Sequence, residues 1–212
     1  MTRDEAVAII GDRLGQRTGL GTQIAAEMQL RQTVLEGRPE LPWFLLTKLS
    51  YTATATAINS FAGPTDLLLE YDDPPGAIFV TDPDTLAVTR LIKVSFSELG
   101  DRRTEEPLVG RPRTYSWMGS DIECYPTTDK LYLFTGLYYQ KAVALTTGTL
   151  DNAWLNNAPD ILIAETGLKI AQFLRDQVYI QLFDDDRKEA WMQMLKTNTA
   201  RVQAARAAYM GG

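Results

Sequence analysis

The sequence contains no histidine and a single cysteine, Cys124, among its 212 residues. Without an imidazole there can be no Ser-His-Asp or Cys-His nucleophile system, no histidine metal ligand, and no charge switch of the histidine kind near neutral pH. One cysteine cannot form an intramolecular disulfide, so the fold does not depend on an oxidising compartment. Long apolar runs are also missing. The longest lie near Leu41–Leu46 and Ile161–Ala164, far short of the roughly 20 residues that cross a bilayer. Charges at Arg3, Asp4, Glu5, Asp12, Arg13 and Arg17 leave no room for the apolar stretch of a signal peptide, so the expected site of synthesis is the cytoplasm.

Basic residues are outnumbered, with 21 Lys and Arg against 27 Asp and Glu for a formal charge of −6. A generic nucleic-acid binder carries a basic surface, and this balance argues against one. What remains is ordinary globular material, 45% hydrophobic and 23% charged, in a chain long enough to bury a sizeable core.

The N-terminal segment predicts two helices. Thr2 and Glu5 have capping-box spacing, and Ala6, Val7, Ile10 and Leu14 follow on one helical stripe. Gly15 to Gly21 supply the turn. A second helix is expected from Thr22 to Glu36, with Ile24, Met28 and Leu35 on one face and Ala25 and Val34 beside them. Gly37, Pro39 and Pro42 stop it.

From Trp43 to Leu145 the pattern becomes β-like, with about five strands expected. Tyr51–Ala57 alternates with period two. Ala77–Val80 is the next strand, between turns at Pro74–Gly76 and Asp82–Asp84. Lys93–Arg103 holds a short helix. Arg113–Met118 and Asp121–Tyr125 form a hairpin about Gly119-Ser120. Leu131–Tyr139 is aromatic-rich and apolar on both faces, so it must be covered on both sides, by this chain or by a neighbour.

Helices return after residue 151. Pro159 suits a first turn, and Ile161, Ala164, Leu168, Ala171 and Leu174 make a stripe. Asp186 and Glu189 predict the start of a last helix carrying Trp191, Leu195, Asn198, Val202, Ala205 and Tyr209 on one face. The expected fold is therefore α+β: an antiparallel helical bundle from residues 1–45 and 150–212, with a β-rich domain, 46–149, inserted between its halves. Separate helical and β domains in series are the alternative.

Candidate chemistry is thin. Asp72-Asp73, Glu105-Glu106 and Asp184–Asp186 are neighbours in sequence, whereas glycosidic acid/base pairs oppose each other across a cleft. Turn, loop and helix-cap roles explain them. The glycines between 11 and 21 match no phosphate loop. Cys124 reads as a core residue. Arg102-Arg103 to Arg113 is interleaved with Glu98, Asp101, Glu105 and Glu106, which suits local ion pairs. The aromatics Tyr115, Trp117, Tyr125, Tyr132, Phe134, Tyr138 and Tyr139 suit core and cross-strand pairs better than a stacking platform. No catalytic residue, cofactor or metal is expected.

Three segments in order carry a family resemblance. They are Gly37-Arg-Pro-Glu-Leu-Pro-Trp-Phe-Leu-Leu-Thr47; Gly110-Arg-Pro-Arg-Thr-Tyr115 with Gly119, the Tyr125-Pro126 turn and Leu131–Tyr139; and Asn152-Ala-Trp-Leu-Asn-Asn-Ala-Pro-Asp-Ile-Leu-Ile163. Together the chain resembles the head-to-tail adaptor (connector, or tail accessory) proteins of short-tailed double-stranded-DNA bacteriophages. The resemblance implies a non-enzymatic virion protein of the neck, made in the bacterial cytoplasm. It implies a twelve-fold ring beneath the portal, facing the tail nozzle and fibre proteins, through which DNA passes during ejection without sequence-specific binding. Twelve copies would total roughly −72, which would not grip sliding DNA. Arg201, Arg206 and Tyr209 are candidate portal contacts. Tyr51, Leu131, Leu133 and Tyr138 are candidate contacts between subunits. A carboxylate-based peptidoglycan hydrolase and a monomeric β-type binding module are the competing readings.

Overall fold

The computed structural model describes the whole chain except residues 18, 72–77, 147, 149–151 and 211–212, and the side chains of 205, 206 and 208–210. The expected Pro74–Gly76 turn, the Asp72-Asp73 pair and the start of the strand expected at Ala77 lie outside the described residues. The chain is an α+β fold that divides into two compact units, Met1–Leu45 with Lys141–Gly212, and Leu46–Gln140.

In the helical unit, α1 (Arg3–Arg13) starts on the expected capping box. Thr2 Oγ1 accepts from the Glu5 N–H at 3.2 Å, and Glu5 accepts from the Thr2 N–H at 2.7 Å. That backbone hydrogen bond holds the Glu5 carboxyl below its ordinary range. Ala6, Ile10 and Leu14 are buried. Helix α2 (Gly21–Glu36) buries Ile24, Met28 and Leu35, while Val34 is exposed. A 3₁₀ turn at Trp43–Leu45 ends this half.

The C-terminal half supplies α4 (Ala153–Asn157), α5 (Pro159–Leu174) and α6 (Gln177–Met210). α5 is the central helix. It packs against α1, α2, α4 and α6, and Ile161 to Leu168 are all buried. N-terminal helices thus pack on C-terminal ones. The last helix begins nine residues before the expected start at Asp186. Only Arg175, in the left-handed conformation at φ 55°, and Asp176 separate it from α5. Asp184 to Asp186 therefore sit inside a helix rather than capping it. Asp184 pairs with Arg187 and Lys188 one turn on, and Asp186 pairs with Arg13 at 2.8 Å. The buried register is also shifted: Phe183 and Met194 are core residues, whereas Leu195 is exposed.

Close helix packing has a specific source. Gly167 lies mid-helix in α5 with the Phe183 ring against its Cα face, and an added Cβ would stand 2.5 Å from Phe183 Cδ1. A buried polar network fixes the chain leaving the β unit. Glu36 Oε1 accepts from Gln32 Nε2 (2.9 Å), the Ala142 N–H (3.3 Å) and Trp154 Nε1 (3.3 Å). Asn152 Nδ2 donates to Gln32 Oε1 and to the Val143 carbonyl, while its Oδ1 caps α4 by accepting from Trp154 and Leu155 N–H. Asn152 and Gln32 are buried, so each polar atom needs these partners.

The β unit has nine strands among the described residues, in two sheets, rather than about five. β1 (Leu46–Thr52), β4 (Ile78–Thr81), β5 (Val88–Arg90) and β9 (Leu133–Gln140) form one sheet in the order β1-β9-β4-β5, with β3 (Leu67–Glu70) also pairing β9. β2 (Ser60–Ala62), β6 (Ile92–Lys93), β7 (Thr114–Met118) and β8 (Asp121–Tyr125) form the other, ordered β2-β8-β7-β6. The short helix α3 (Phe96–Glu105) has Ser95 as its cap. The extra strands are two to four residues long, too short for a periodic signal.

The strand expected at Tyr51–Ala57 is misplaced. The strand is the preceding run Leu46–Thr52, paired with β9 from Leu46↔Tyr139 to Thr52↔Leu133. Beyond it Ala53 is buried, with its N–H on the Tyr132 carbonyl at 2.9 Å. Thr54 to Ala57 are exposed, and Ala57 has φ 62°. Alternating Ala and Thr carry little apolar weight, and the bulkier residues win the sheet. The hairpin at Gly119-Ser120 joins β7 and β8 as expected, with Gly119 at φ 60°. The two sheets share one core. Phe61 from the second sheet lies 4.5 Å from Tyr51 and 4.7 Å from Phe134 of the first, centroid to centroid.

Candidate functional site

The β unit spends most of its chemistry-bearing side chains internally. Tyr115, Tyr132 and Phe134 are fully buried, and Tyr125 and Tyr138 nearly so. The Tyr115 hydroxyl donates to Glu70, and the Tyr132 hydroxyl to Asp129 at 2.7 Å. Burial is the main cause that raises the Tyr132 phenol above its ordinary range, with the Asp129 hydrogen bond second. Cys124 is a core residue whose thiol burial pushes up to about 12.

The basic stretch is largely committed within the unit as well. Arg102 pairs with Glu98 at 2.7 Å. Arg103 pairs with Glu123 and donates to the Asn59 and Cys124 carbonyls. Arg111 donates to the Ala87 carbonyl at 2.6 Å. Among the described residues no group of three or more His, Cys, Asp or Glu could hold a metal ion. Among them, too, no helix is long and apolar enough to cross a membrane.

Of the four candidate subunit contacts, Leu131 is open to solvent (48% exposed) and Leu133 is partly so. Tyr51 stacks on Phe61, and Tyr138 is buried with its hydroxyl on Asp66 at 2.9 Å. Leu131 lies two residues before Leu133, the first residue of β9, and Tyr51 faces Phe134 across the β1–β9 ladder. Further apolar side chains stand open at Leu86, Val88, Ile92, Leu108 and Val109.

Of the candidate portal contacts, Arg201 is placed on α6 with its guanidinium 4.5 Å from the Trp43 ring centroid. The side chains of Arg206 and Tyr209 lie outside the described residues, although α6 continues through them to Met210. Asn198, one turn earlier, accepts from the Trp43 N–H at 2.6 Å and donates to the Leu41 carbonyl at 3.3 Å. A second arginine–tryptophan stack lies further back. Arg38 covers the Trp191 ring at 4.3 Å, and both donate to the buried Glu165 Oε1, at 2.7 and 3.2 Å. These contacts bind α6 to the other helices as far as Arg201. A reading of α6 alone could find Trp191 and Asn198 by helical spacing. Their partners on other helices carried no local signal.

Two adjoining depressions flank the N-terminus of α5. One, of about 230 Å³, is lined by Trp43, Phe44, Pro159, Ile161, Met194 and Thr197 among others. The other, of about 180 Å³, holds Arg13, Asp186 and Glu189. They share Asp160, Ala190 and Gln193, so they adjoin as one groove, with aromatic and aliphatic side chains among the polar ones at one end and carboxylates at the other.

The chain is a helical scaffold with a β insertion, with open apolar positions on both units and arginines largely held in internal pairs and stacks. Over residues 5–212 the chain matches the model of the SU10 adaptor protein family, and it belongs to that family of phage adaptors. No curated protein matches the chain.

Proposed function

We propose that the protein is a head-to-tail adaptor. It forms a ring, twelve-fold by analogy with the proteins it resembles, that joins the portal to the tail nozzle and fibres and continues the DNA channel. The observation that carries this reading is the family match across nearly the whole chain. The helical order supports it, since N- and C-terminal helices close one bundle around an insertion. Leu131 and Leu133 are the proposed contacts to the neighbouring copy. Tyr51 and Tyr138 hold that strand in place from inside the unit.

The acidic excess sits mainly in the β unit, where Leu46–Gln140 carries 13 acidic and 8 basic residues. An acidic lining leaves DNA free to slide, because phosphates find no counter-charge to bind. The test is the mass of the protein alone and mixed with portal protein. A ring, formed spontaneously or on portal addition, is the expected result. A chain that stays monomeric and never binds portal would refute the proposal.

A further inference from the structure

We propose that the groove beside the N-terminus of α5 receives the basic end of α6 from a second copy of this chain. The proposal rests on the ring reading above and supplies it with a specific contact. The groove offers two chemistries side by side. At one end half-buried Trp43 and Phe44 lie over buried Ile161 and Met194, beside Asn157, Gln193 and Thr197. At the other end Asp186 is paired to Arg13, which leaves Asp160 and Glu189, both exposed, without a described cation. A fitting occupant presents a basic side chain next to an aromatic or aliphatic one.

The chain itself carries such a segment. After Glu189 there is no acidic residue, while Lys196, Arg201 and Arg206 follow. Arg201 stacks on Trp43, and Arg206 follows it in the sequence as the last basic residue. Around it run Ala204, Ala205, Ala207 and Ala208, then Tyr209 and Met210. Small residues let a helix backbone approach a surface closely, and the charges complement the groove's acidic end.

The occupant has to come from another molecule. Met194 lines the groove and Tyr209 follows fifteen residues later on the same unbroken helix. At 1.5 Å per residue that places it about 22 Å away, with no bend to bring it back. A groove at one place and a tail at another join copies head to tail, which is the contact type that closes into rings.

Sedimentation velocity on the full chain over a concentration series, alone and with portal protein, tests this. Glu189→Lys and Arg206→Glu are each expected to weaken self-association about tenfold or more. The double variant Glu189→Lys with Arg206→Glu is expected to regain native association to within a few-fold, which a folding defect would not allow. As a second readout, Thr197→Cys and Tyr209→Cys chains mixed in equal amounts should form a disulfide between the two different chains. Rings that form as before in both single variants would overturn the groove contact and leave the ring reading standing. So would variants that lose portal binding while self-association persists, since the end of α6 then belongs to the portal. If the native chain never associates, with or without portal, the ring reading itself fails.

Discussion

Replacing Gly167 with alanine should destabilise the protein, although alanine is the better helix former. In an exposed mid-helix position the change would gain about 1 kcal/mol from propensity. Here the new methyl would stand 2.5 and 2.6 Å from Phe183 Cδ1 and Cζ. Carbon atoms settle at about 3.5–4.0 Å, so the overlap is about 1 Å or more. Phe183 is fully buried and cannot swing into solvent, so α5 and α6 must part or the ring must leave its rotamer. Overpacking of that kind costs about 1–3 kcal/mol, occasionally more. Subtracting the propensity gain leaves a net loss of up to about 2 kcal/mol, or a Tm lower by up to roughly 8 °C for a chain of this size. Urea unfolding followed by tryptophan fluorescence reads this directly. A double variant, Gly167→Ala with Phe183→Leu, should lose less than the two single losses together, with a coupling of about 0.5–3 kcal/mol. A Gly167→Ala protein more stable than the native one by about 1 kcal/mol would refute the packing argument, as would strict additivity in the cycle.

Asn152→Ala removes the cap of α4 and the donor to Gln32 and the Val143 carbonyl. A loss of about 2–4 kcal/mol is expected in the same unfolding assay, with Asn152→Asp recovering part of it because the cap survives. Cys124 should resist a thiol reagent at pH 8 in the folded protein and react at once in urea, since its thiol is buried and pushed up to about 12. The sign for stability follows. The unfolded chain releases this proton near pH 9 and the folded one does not. The thiol's contribution is therefore complete below pH 9 and is lost as the pH rises towards about 12. A Cys124→Ala variant should show a flatter alkaline limb in unfolding measured from pH 8 to 11.

The parts of the fold that could be read along the chain are those whose signals are local. The Thr2–Glu5 box, the Ile24–Met28–Leu35 stripe, Pro159 and the Gly119 hairpin each fold as their spacing predicts. Where a local signal had two meanings, the wrong one was easy to choose. Asp186 and Glu189 have cap spacing, but the three aspartates are neutralised by arginine and lysine one turn away or across helices, so the helix runs through them. Nor does the α5–α6 break carry a glycine or proline; Arg175 makes it alone. The proposed interaction surfaces were legible only as residue types. Leu131 stands open although an apolar segment is expected to be covered on both faces, and Tyr138 on the same segment turns inward to Asp66. The α5 groove draws its walls from Ile161, Met194 and Trp43, the last more than a hundred positions from the other two, and no window along the sequence joins them.

The pairing of β1 with β9 has a consequence for how such a protein can change over evolutionary time. The β unit enters at Leu46 and leaves beside Tyr139, its partner across the ladder. Paired strands keep such partners about 5 Å apart. The bundle therefore has to offer only two chain ends spaced like neighbouring rungs, whatever is threaded between them. An insertion whose ends meet in this way can lengthen its loops, trade strands or be exchanged for another cassette without disturbing the helices that carry it.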